Sequence, residues 1–219
     1  MGRGTLAGLA LGALCAGPAL AHPHVYIDTG VEVIFDAEGR ASALRIVWVY
    51  DDFFSLLIVQ DRGLDPDADG QTTAEEDARL NGFDMDWEPG FPGDTYILGA
   101  TGQLVLGPPS DWTATYRDGR LISTHLRRLE TPVDPAAEPL VIQAYDPGYY
   151  TAYTIASDPI LTGRQGCTAA VFAPDLSEAD KQLQAALAEY GAEVDLEMEF
   201  PAIGAAYAEE IRVTCENPS

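Results

Sequence analysis

Val25-Tyr26-Ile27-Asp28-Thr29-Gly30-Val31-Glu32-Val33-Ile34-Phe35 reads as a strand, and the polar Asp36-Ala37-Glu38-Gly39 that follows ends on a residue that tolerates positive φ. Ala43 to Tyr50 then reads as a second strand, so the pair predicts a hairpin. The same pattern recurs downstream. Thr95 to Leu106, Trp112 to Arg117, Arg120 to Leu129 and Leu140 to Tyr145 are separated by Gly-Pro, Asp-Gly and proline-rich breaks, the spacing of an antiparallel β domain. Tyr149 to Ile155 adds another strand. The compact apolar run Asp52 to Val59 is expected to be a helix, as is Thr73 to Asn81.

The last part of the chain changes character. Cys167 to Phe172 is strand-like, and Ser177 with Asp180 three residues on opens a helix through Glu189, stopped by Gly191. Val194 to Phe200 and Glu210 to Cys215 are expected as strands, the second with Ile211, Val213 and Cys215 on one face. The fold class is therefore α+β and β-rich: antiparallel sheets, sandwich-like, with an EF-hand-like helical insert at 61–82 and a C-terminal αβ segment.

Arg3 precedes an apolar run from Leu6 to Ala16, then Pro18 and the small-residue pattern Ala19-Leu20-Ala21. This predicts a cleavable secretory signal over 1–21, a single domain over 22–219, and a periplasmic location. No later stretch approaches the roughly 20 apolar residues of a membrane-spanning helix. The chain carries 12 Lys and Arg against 35 Asp and Glu, a formal charge of −23, which argues against nucleic acid as a partner. Once Cys15 leaves with the signal, Cys167 and Cys215 remain, and an oxidising compartment makes them a disulfide.

Cleavage after Ala21 would make His22 the free N-terminus, followed by Pro23 and His24. An N-terminal histidine chelates through its α-amine and its ring. Pro23 has no amide proton, so the square-planar motif built on deprotonated amides is blocked. A two-histidine site for zinc, nickel, cobalt or copper remains, with His125 as a third ligand and Asp28, Asp51, Asp52 or Asp146 as carboxylate candidates. Against this stands the blander expectation of a solvated end, with His125 an ordinary strand residue.

Asp65-Pro66-Asp67-Ala68-Asp69-Gly70-Gln71-Thr72-Thr73-Ala74-Glu75-Glu76 has the spacing of a calcium loop. Asp65, Asp67 and Asp69 occupy positions one, three and five, Gly70 the turn, Gln71 the carbonyl position, Thr73 position nine and Glu76 the bidentate position twelve. Thr72 and Asp77 stand where apolar residues are usual, and no second loop follows, so a solitary structural Ca2+ site is expected. The tyrosines of Tyr145-Asp146-Pro147-Gly148-Tyr149-Tyr150 and Tyr153 are expected mainly to pack. Nucleophile and phosphate-loop motifs are absent, so the chain reads as a binding protein and not an enzyme.

His22-Pro23-His24-Val25-Tyr26-Ile27-Asp28, Trp48-Val49-Tyr50-Asp51-Asp52-Phe53-Phe54-Ser55, the acidic loop and Tyr145-Asp146-Pro147 together resemble the bacterial domain-of-unknown-function 1007 family. The resemblance spans the chain after residue 21 and implies a periplasmic component of a metal transport system, with a membrane metal transporter as partner. The rival reading is a calcium-stabilised β-rich module that binds a ligand or partner without a transition metal.

Overall fold

In the computed structural model, residues 22–191, 193–196 and 199–217 are described, and the expected leader at 1–21 lies outside them. The opening hairpin forms as expected: β1 (Val25–Phe35) and β2 (Ala41–Tyr50) pair antiparallel, with Ile27 opposite Tyr50 and Val31 opposite Ile46. Alternation drives it, because Val31, Val33, Leu44 and Ile46 turn inward and are buried.

Asp51 caps α1 (Asp52–Asp61), accepting from the Phe54 amide, and Thr73 caps α2 (Ala74–Leu80) in a reciprocal pair with Glu76. The two helices and the acidic loop between them make a helix–loop–helix. The expected strand Thr95 to Leu106 is instead a hairpin, β3 (Thr95–Gly99) and β4 (Gly102–Leu104), broken where Gly102 takes positive φ. Then come β5 (Leu106–Arg117), β6 (Arg120–Val133), β7 (Leu140–Ala144), β8 (Thr151–Ile155), β9 (Ile160–Thr162), which was not foreseen, and β10 (Cys167–Phe172).

Helix α3 (Leu176–Leu187) is capped by Asp175, whose side chain accepts from the Glu178 amide, and not by Ser177, and it ends before Gly191. The expected strand Val194 to Phe200 does not form: its described residues lie in turns, bends and irregular chain. The short α4 (Gly204–Tyr207) and β11 (Glu210–Cys215) complete the chain.

One sheet runs β5-β6-β2-β1-β8, and the other β10-β11-β7-β3-β4. The second is antiparallel throughout. In the first, β8 and then β9 lie along the same side of β1 and run parallel to it, a departure from the expected antiparallel pairing. The sheets share one core, with Val33, Leu44, Ile46 and Leu121 from the first and Ile97, Leu140, Ile142, Ile211 and Val213 from the second. Cys167 and Cys215 face each other across β10 and β11 and form the expected disulfide. Among the described residues no helix is long and apolar enough to cross a membrane.

Candidate metal centres

Asp146 organises the platform for the chain start. Its Oδ1 accepts the Gly148 amide at 2.9 Å, and its Oδ2 accepts the amides of Tyr150 at 2.9 Å and Thr151 at 3.1 Å. This cage fixes the Tyr150 carbonyl, which accepts the His24 amide at 2.8 Å just ahead of β1. The segment 22–24 is thus held down on the fold.

Four rings meet there. The centroids of His22 and His24 are 5.0 Å apart, Tyr150 lies 4.7 Å from His24, and Phe200 lies 4.3 Å from His22. Both ring nitrogens of His22 are shielded from solvent and have no hydrogen-bond partner among the described residues, while His24 is exposed. An imidazole so placed has an unmet lone pair, a donor set that suits a transition metal.

The other sequence candidates are placed elsewhere. His125 is fully buried on β6, packed between Trp48 at 4.7 Å and Trp87 at 5.6 Å. Burial, reinforced by the Arg127 charge, pulls its pKa down to about 3, so it is a neutral ring inside the core. Asp28 pairs with Arg120 at 2.8 Å. Asp51 caps α1 and accepts the Tyr26 amide, the exposed Asp52 lies 3.7 Å from Arg120, and Asp146 is spent on its amides. Of the tyrosines, only Tyr150 joins the histidines. Tyr145 stacks on Tyr96 and Tyr149 on Tyr207, while the Tyr153 hydroxyl donates to Asp94 at 2.9 Å. The sequence pattern around Phe200 reads as a strand, and nothing local in it points the ring at His22.

The acidic loop turns back on its own backbone amides. Asp65 accepts the amides of Asp69 at 3.0 Å and Gly70 at 3.1 Å, Asp69 accepts that of Gln71, and Gly70 takes φ +79°. Carboxylate oxygens of Asp65, Asp67 and Asp69 lie within 4.8 Å of one another, the one such group of three His, Cys, Asp or Glu ligands among the described residues. Glu76 accepts the Thr73 amide and hydroxyl at 2.9 Å each. Those bonds, with a smaller contribution from the Asp65 amide, hold its carboxyl below the usual range.

The two residues that broke the EF-hand pattern have a structural reason. Thr72 is buried against β5: its amide donates to the Tyr116 carbonyl at 3.1 Å and its hydroxyl accepts the Tyr116 amide at 3.1 Å. Asp77 pairs with Arg117 at 2.7 Å, and the Gly119 amide donates to the Gly70 carbonyl. The β5–β6 hairpin supplies the partners of both polar residues.

A search of curated proteins finds no match. The sequence profile of the proteins of unknown function DUF1007 matches residues 7–215, nearly the whole chain, and the chain belongs to that family.

Proposed function

We propose that the protein is a periplasmic, non-catalytic accessory of a metal transport system, which captures a zinc, nickel, cobalt or copper ion through His22 and His24 and hands it to a membrane transporter. One observation carries this reading: the histidine pair is docked on Tyr150 and Phe200 with the His22 nitrogens unpartnered. A polar atom buried without a partner costs about 1–3 kcal/mol, and coordination would remove that cost. Processing after Ala21 would add the α-amine as a donor; bound there, a borderline metal would be held by nitrogen ligands.

In the same reading Asp65, Asp67, Asp69, the Gln71 carbonyl, Thr73 and Glu76 hold one calcium ion that orders the insert. The test is a zinc and nickel titration of protein processed at His22. Binding should be lost in a His22→Ala, His24→Ala variant; unchanged affinity there refutes the capture role.

The docking of the loop on β5 through Thr72 favours one alternative, a calcium-stabilised ligand- or partner-binding module with no transition metal. Native mass spectrometry of the periplasmic protein separates the two. The first expects a retained transition metal, the second calcium alone.

A further inference from the structure

Arg127 is 4% exposed on the inner face of β6. Its Nε donates to the Gly107 carbonyl at 2.8 Å, one Nη to the Leu106 carbonyl at 3.1 Å and the other to the Pro92 carbonyl. The Trp87 ring lies 5.1 Å from the guanidinium carbon. Acids outnumber bases 35 to 12, and Arg40, Arg45, Arg117, Arg120, Arg164 and Arg212 each have a carboxylate partner. Among the described residues Arg127 has none. A guanidinium offers five N–H groups, so this one keeps donors in reserve. Desolvation lowers its pKa to about 10, which still leaves it charged at neutral pH.

The side chain borders a cleft of about 420 Å³, within the range of small-molecule sites. Trp87, Phe91, Trp112, Pro108 and Pro109 form apolar walls, and Phe91 and Trp112 stay 40% and 44% exposed. Gly93, at φ +72°, lets this corner close: a Cβ there would collide with the Trp87 ring and the Arg127 guanidinium. Asp86 and Glu88 are exposed at the mouth.

We propose that this cleft binds a small monocarboxylate on a planar apolar body, its carboxylate paired with Arg127 and its ring lodged among the tryptophans. A buried cation without a counter-ion is best met by a charge-assisted bond to a carboxylate. The acids at the mouth penalise each negative charge a ligand carries, so a dicarboxylate is disfavoured more than a monocarboxylate. The site is independent of the metal reading.

Calorimetric titration of the intact protein with phenylacetate, phenethylamine and succinate tests it. Phenylacetate should bind saturably, at least tenfold tighter than the other two. Arg127→Gln should weaken phenylacetate at least tenfold. Because Arg127 also braces three carbonyls, the exposed-wall variant Trp112→Ala gives a second measure: about fivefold weaker binding with unchanged Tm. No saturable phenylacetate binding, equal or tighter phenethylamine binding, or unchanged affinity in Trp112→Ala would overturn the proposal.

Discussion

Asp94 is 6% exposed, and while its Oδ2 accepts the Tyr153 hydroxyl, its Oδ1 has no partner among the described residues. Burial raises its pKa to about 7, against about 4 in an unfolded chain. The native state therefore holds a proton that the unfolded state releases, and Asp94 lowers stability as pH rises from about 4 to about 7. His125 acts in the opposite sense. Its native pKa near 3 leaves it neutral while the unfolded ring protonates below about 6.5, so it lowers stability as pH falls from about 6.5 to about 3. In urea titrations from pH 4 to 8, Asp94→Asn should flatten the decline toward neutrality and His125→Phe the decline toward acid. Each is bounded by about 1.4 kcal/mol per pH unit for one proton. Gly204 is a steric case. A Cβ there would overlap the Asp146 carbonyl, while the Gly204 amide is tied to Pro147. Gly204→Ala should cost about 1–3 kcal/mol in thermal unfolding.

The helix–loop–helix gives the element-scale expectation. If the loop binds calcium with a Kd of about 10⁻³ M, then 10 mM calcium should stabilise the fold by about 1.4 kcal/mol. That is a Tm rise of about 3–6 °C by scanning calorimetry, absent in Asp65→Asn. Arg117→Ala should halve the rise or more, because it releases Thr72 and Asp77 together.

At this scale much was legible in the sequence. The hairpin at Asp36 to Gly39 and the partnership of Cys167 with Cys215 are set by local pattern or by elimination, and the structure carries both of them. What sequence missed depends on distant partners. Thr72 and Asp77 looked like defects until Tyr116 and Arg117 arrived from residues far along the chain, and β9 is a strand because β1 lends it an edge. Ser123, His125 and Arg127 alternate like any buried row, so the pattern gives no hint that the Ser123 hydroxyl donates to Asp84 and Arg127 to three carbonyls. The histidine pair stands out in the sequence, but its placement against Phe200 does not.

For the whole molecule, the disulfide joins β10 to β11 and encloses residues 167 to 215, so it ties α3 and α4 to the second sheet. Cys167→Ala with Cys215→Ala should lower unfolding free energy by up to about 4 kcal/mol on the chain-entropy account, read as a lower guanidinium midpoint. The loss should fall on the second sheet, leaving β1 and β2 protected in hydrogen exchange.

β1 lies inside its sheet, with β2 on one side and residues 151 to 162 on the other. A nascent polypeptide emerging from its amino end therefore carries a bare ladder of amides and carbonyls along β1 until most of the chain has followed. Such an open flank invites pairing with other chains. A holding chaperone that covers this flank until residues 151 to 162 arrive is the escort that this strand order rewards.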